Sequence, residues 1–144
     1  MDLALAQARA AARRGEVPVG AVVIRRSDRA LVAAAGNETE ARHDPTAHAE
    51  MLVIRQASEA LKTPRLPDCD LYVTLEPCTM CAGAIAQARI GRLYFGAPDP
   101  KGGGVLHGAL VFDQSTCHHR PEIYDGINET EASALLKGFF AKRR

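Results

Sequence analysis

Two short stretches of this chain carry side chains that could do chemistry together. His48 and Glu50 stand two apart in His48-Ala49-Glu50, and about thirty residues later Cys78 and Cys81 stand three apart in Pro77-Cys78-Thr79-Met80-Cys81. One imidazole and two thiolates are donors that zinc takes, and a catalytic zinc keeps three protein ligands with its fourth position open to water. Residues three apart share a face of a helix, so Cys78 and Cys81 can grip one ion. The run 71–75 before them reads as a strand, which puts the pair just past its C-terminal end, where open α/β sheets carry their sites. A helix beginning there would stabilise thiolates through its partial positive charge, and the same field favours bound hydroxide over water. Glu50 need not bind the metal. A carboxylate beside the water can take its proton as general base and return it as general acid.

Taken alone, His-x-Glu is a common coincidence, whereas Pro-Cys-x-x-Cys arises by composition in roughly one chain of this size in a thousand. Together, in this order, they match the pattern of zinc nucleobase deaminases, in which hydroxide attacks the carbon bearing an exocyclic amine and ammonia leaves. Two other readings use the same residues. A thioredoxin-like redox pair would use the cysteines and leave His48 and Glu50 unexplained. A closed structural zinc site would recruit a fourth ligand from Cys69, Cys117, His43 or His118 and leave Glu50 idle. Cys69 and Cys117 otherwise read as buried or unremarkable thiols, and His107, His118 and His119 as loop or surface histidines. His48 and Glu50 do not share a helix face; they converge only in the first turn of a helix, which Asp44-Pro45-Thr46 would open with Thr46 as N-cap.

The elements that must position these groups follow from hydropathy. An amphipathic helix covers 2–14, with Leu3 and Leu5 inward, Arg9, Arg13 and Arg14 solvated, and Gly15 ending it. Its Ala- and Arg-rich composition superficially resembles a transit peptide, but it runs directly into a strand-like stretch. Apolar runs at 17–24 and 30–35 flank a polar hairpin connection at 25–29. Helical periodicity spans 46–61, with Met51, Leu52, Ile54 and Ala57 as the core stripe. The segment 71–75 reads as a strand buried on both faces, 79–88 as an Ala-rich helix and 93–95 as a further strand. Strand, helix, strand in that order implies parallel neighbours and a right-handed crossover. The segment 98–104 is a glycine-rich, mobile loop, 113–120 is ambiguous, 122–124 is a last short strand and 127–140 a last helix. These make an α/β fold, a three-layer α/β/α sandwich on a mixed sheet of about five strands with parallel C-terminal strands, and 1–144 form one domain.

Composition closes off other classes. The chain has 144 residues, a formal net charge of +1 and four cysteines. The near-neutral balance gives no global argument for a polyanionic partner. No apolar run approaches the roughly 20 residues that span a bilayer, so no membrane role is expected. Four cysteines are too few for a disulfide scaffold, which points to reduced thiols and a cytoplasmic location.

The chain resembles the cytidine-deaminase-like superfamily and, within it, the bacterial tRNA-specific adenosine deaminases. The likeness runs through EVPVGAVV at 16–23, Gly36-Asn37, RHDPTAHAE at 42–50, LYVTLEPCTMCAGAI at 71–85, ARIGRLYFGAPDPKGG at 88–103 and LLKGFFAKRR at the C-terminus. That resemblance implies conversion of the wobble adenosine of a tRNA anticodon loop to inosine, one Zn2+ per subunit, and a homodimer. His48, Cys78 and Cys81 match the zinc ligands and Glu50 the proton shuttle. Asn37 matches the residue that hydrogen-bonds the target base, Leu75 lines the base pocket, and Asp99 and Lys101 match an RNA-contacting loop, with Asp99 reading a ribose 2′-hydroxyl. Pro98 stands where a basic side chain is expected, 104–118 departs from the family pattern, and His118 replaces an expected Asn; all three fall in the stretch expected to contact RNA. The tail Phe139-Phe140-Ala141-Lys142-Arg143-Arg144 has two readings of its own. Either its aromatics stack on bases while its cations meet phosphates, or the aromatics pack inward and the cations complement the helix dipole. The resemblance favours RNA, with Phe139 and Arg143 as contacts. A deaminase of a free base or nucleotide (guanine, cytosine or cytidylate) and a non-catalytic zinc module are the competing functions.

Overall fold

A computed structural model describes residues 1–143; Arg144, the last cation of the tail, lies outside the described residues. Five strands form one sheet in the order β2-β1-β3-β4-β5. The hairpin β1 (Gly20–Arg25) and β2 (Leu31–Gly36) is antiparallel, and β1 pairs antiparallel with β3 (Cys69–Leu75). From there the pairing is parallel, β3 to β4 (Arg92–Ala97) and β4 to β5 (Glu122–Tyr124). The helices are α1 (Asp2–Arg13), α2 (Ala49–Leu61), α3 (Thr79–Gln87) and α4 (Glu129–Ala141). α1 touches α4 over one face of the sheet, and α2 touches α3 over the other. The mixed α/β/α sandwich expected from the hydropathy pattern is the fold observed. Among the described residues no helix is long and apolar enough to cross a membrane.

The main core lies between the sheet and α2/α3, where Val23, Leu71, Val73, Leu93 and Phe95 alternate along their strands and meet Leu52, Val53, Ile85 and Ile90. The opposite layer is thinner and built on small residues. Gly20 leaves no space for a Cβ against the backbone of Ala4 and Ala8, so α1 lies directly on the hairpin.

That close approach explains one difference from the hydropathy reading. The buried stripe of α1 is Ala4, Leu5, Ala8 and Ala11, while Leu3 is 53% exposed instead of inward. In α2, Val53 is the buried residue and Met51 and Ile54 are only half-buried. The helix starts at Ala49, and the stripe 49, 52, 53, 57 is the one that faces the sheet. Thr46 is not its N-cap. Its N–H and hydroxyl both donate to the Asp44 carboxylate, at 2.8 and 2.7 Å, and His48 takes the cap position. β3 is not sealed on both faces either, because Tyr72 is half-buried and stacks on Tyr94 along the open part of the α1/α4 face.

Candidate active site

Two helix N-termini meet at one point on the α2/α3 side of the sheet. His48 is the N-cap of α2 and Cys78 the N-cap of α3, both with extended backbone, and neither side chain makes a capping hydrogen bond. Both turn toward each other and toward Cys81, one turn into α3. The ligand atoms of His48, Cys78 and Cys81 all lie within 4.8 Å of one another. A tetrahedral ion held about 2.1 Å from an imidazole nitrogen and about 2.3 Å from a sulfur would set those atoms roughly 3.6 Å apart. The Nδ1 of His48 stands 3.7 Å from the Cys78 sulfur and 3.5 Å from that of Cys81. The donor set and its spacing both fit a metal ion. Among the described residues no fourth His, Cys, Asp or Glu joins the group, so Cys69, Cys117, His43 and His118 do not close it.

The electrostatics suit thiolate ligation. The Cys81 thiol, donating to Cys78, and the His48 ring bring the Cys78 thiol down to about 4, against its own burial. The same Cys78 contact, together with burial, pushes Cys81 up. Metal uptake must therefore expel the Cys81 proton, with two helix dipoles favouring the anion.

Glu50 lies in the first turn of α2, 4% exposed, beside this group. Burial pushes its carboxyl up to about 7, against the nearby His48. A bound divalent cation would pull it back down, leaving a group poised to exchange protons near neutral pH. In the metal-free chain the raised value favours the protonated form. Its contribution is therefore whole below about 4.5 and is lost as pH rises to about 7, a change on the order of 3 kcal/mol. Cys78 titrates in the opposite sense, so the expected observable is a difference. With chelator present, Glu50→Gln should gain stability relative to the parent between pH 4.5 and 7, read from paired urea midpoints, and a constant offset would disprove the desolvation of Glu50.

A cleft of about 320 Å³ opens over the group, with His48, Glu50 and Cys78 in its wall. Volumes of this size are those of small-molecule sites. The model for MafB19-like deaminases matches residues 1–144. The chain belongs to this deaminase family. It is 56% identical to the tRNA-specific adenosine deaminase of Agrobacterium fabrum, over all of this chain and 93% of that protein. It is 43% identical to the Bacillus subtilis protein of the same name, over all of this chain and 88% of that one. A solved structure from a study of A-to-I editing by tRNA:A34 deaminases superposes with a TM-score of 0.91 at 57% identity, covering 94% of this chain and 97% of that one.

In this deaminase, Asn37, Leu75 and Asp99 also line the cleft. Asn37 follows the end of β2 and is 7% exposed, its amide donating weakly to Thr39 Oγ1 at 3.4 Å. The Asp99 carboxylate accepts the N–H groups of Lys101 and Gly102 at 3.2 and 2.9 Å, which shapes the turn beneath it. Lys101 is outside the cleft and shares a neighbouring groove with Lys137, Phe140 and Arg143. Phe139 is half-buried; Arg143 lies over its ring at 4.1 Å and donates to the Gly15 carbonyl at 3.1 Å, while Phe140 is 46% exposed. The tail thus divides its aromatics between the two readings. Cys117 and His118 line a separate hollow with Gly83 and Gln87, away from the cleft.

Hydropathy reading missed Thr39, Gly102 and two buried carboxylates. Glu16 is 1% exposed and accepts the N–H groups of Glu40 and Ala41 at 2.7 and 3.2 Å, holding the turn before His48. Glu76 is equally buried and lines the cleft. The available signal was an acid at the border of an apolar run, Glu16 just before the run 17–24 and Glu76 just after the run 71–75.

Proposed function

We propose that this deaminase is zinc-dependent and converts adenosine to inosine at the wobble position of a tRNA anticodon loop. The observation that carries the reading is the three-ligand group with a buried carboxylate beside it in the wall of a base-sized cleft. His48, Cys78 and Cys81 would hold one zinc per subunit. Zinc, when bound, supplies Lewis acidity that lowers the pKa of water to about 7. Glu50 takes the proton of the attacking water and passes it to a ring nitrogen of the base. It then takes the proton of the newly formed hydroxyl and delivers it to the exocyclic amine, so that the C–N bond breaks, ammonia departs and the carbon is left as a carbonyl. Asn37 offers an amide donor and acceptor to the edge of the base, and Leu75 an apolar surface for its ring. An enzyme that does chemistry on a base must take it out of its stack, so the flanking nucleotides need contacts of their own. Asp99 at the cleft, and Lys101 with Phe140 and Arg143 in the neighbouring groove, supply a hydroxyl acceptor, cations and an aromatic for them, with Phe139 placed behind Arg143 as its support.

The Agrobacterium and Bacillus relatives, matched along the whole chain, support tRNA as the substrate. The proposal includes 1–144 as one deaminase domain and a homodimer in the cytoplasm. Leu106 and Leu110, 44% and 38% exposed, support association, and the four free cysteines suit a reducing compartment. The test is ammonia release from an anticodon stem-loop, free adenosine, guanine and cytosine. Turnover of the stem-loop alone is expected; turnover of a free base with an inert stem-loop overturns the assignment.

A further inference from the structure

The segment 98–104, read from its glycines as a mobile loop, is tied down together with 105–107, and one side chain makes five of the contacts. Oε1 of Glu76 accepts the N–H groups of Leu106, His107 and Val105 at 2.8, 3.1 and 3.3 Å. Oε2 accepts the N–H of Asp99 at 2.8 Å and meets Nδ1 of His107 at 2.8 Å. Three consecutive N–H groups make a concave anion nest, and here the chain's own carboxylate fills it.

The glycines follow from the same packing. A Cβ on Gly103 would stand 2.5 Å from the Glu76 carboxyl carbon and 2.6 Å from the Asp99 carbonyl oxygen. A Cβ on Gly104 would stand 2.7 Å from the Thr79 nitrogen. Gly104 N–H donates to the Pro77 carbonyl at 2.8 Å, and Gly103 bridges to Cys78. These residues are glycine because the loop lies directly on the carboxylate and on the start of α3. Closeness, not freedom, is what they provide.

We infer that Glu76 is a positioning residue, an internal anion that folds the 99–107 loop into the shape that receives the RNA. This rests on the proposed function, since Asp99 and Gly102 wall the cleft and Lys101 reaches the groove. A loop ordered before the substrate arrives does not charge its ordering entropy to binding. Glu76 bridges both ends of the loop only with two acceptor oxygens. A glutamine must turn its NH2 either to the three N–H groups of 105–107 or to that of Asp99, so it loses one end.

The test uses full-length, zinc-loaded parent, Glu76→Gln and His107→Ala proteins. Losing a buried hydrogen bond to a charged group shifts loop opening by roughly 10- to 100-fold. In Glu76→Gln, tryptic cleavage after Lys101 should accelerate by about that factor, and KM for the stem-loop should rise at least about tenfold with kcat changed far less. His107→Ala keeps the four backbone bonds and should move both quantities in the same direction but less; it also decides the matter should Glu76→Gln not fold. Unchanged cleavage and KM would overturn the inference, as would a KM change that disappears when zinc content is restored. A parent enzyme inert toward the stem-loop would sink the proposed substrate instead, while the cleavage rates still decide whether Glu76 anchors the loop.

Discussion

Glu50→Gln is expected to bind one zinc per chain, melt within a few degrees of the parent and deaminate the stem-loop roughly 10²- to 10⁴-fold more slowly, or worse. The side chain is 4% exposed in the first turn of α2, so an isosteric amide fills its space without leaving a cavity. It makes no contribution to the donor set of His48, Cys78 and Cys81, which should stay intact. What it loses is the capacity to accept and return a proton. Metal analysis and single-turnover inosine formation on one preparation separate the two effects. A variant with full zinc and parental turnover would remove Glu50 from the chemistry and revive the non-catalytic zinc module.

Cys78→Ala should lose the metal, and activity and part of the stability with it. Partners that merely orient a ligand cost 10- to 100-fold in metal affinity when removed, so deleting a ligand should cost more than about 100-fold. A metal present at a thousand times its dissociation constant stabilises the fold by about 4 kcal/mol, and the variant forgoes most of that. The sharp form of the prediction concerns chelator. The parent's melting temperature should fall when its zinc is stripped, whereas that of Cys78→Ala should not move. Stoichiometric zinc in Cys78→Ala would show that the ion is held elsewhere.

The order and type of the five strands and four α-helices among the described residues could be read along the chain, whereas the 3-10 turn Val111–Asp113, too short to carry a period, could not. The crossover from β3 through α3 to β4 followed from the order strand, helix, strand, since parallel neighbours need a connection of that length. Errors clustered where packing overrides periodicity. Leu3 is exposed because alanines, not leucines, let α1 settle on Gly20. Thr46 lost the N-cap to His48 because the Asp44 carboxylate occupies both of its donors.

By itself the sequence determined the chemistry available to this deaminase: an imidazole, two sulfurs at helical spacing and an acid two residues from the imidazole are covalent facts, and their donor properties do not depend on the fold. Only the tertiary structure decided that those donors meet. His48 and Cys78 are separated by about thirty residues, and the packing of α2 against α3 alone sets their 3.7 Å approach. It also decided what the glycines after Lys101 are for. A glycine looks the same in a sequence whether it grants freedom or makes room, and the difference here is the Glu76 carboxylate lying beneath it.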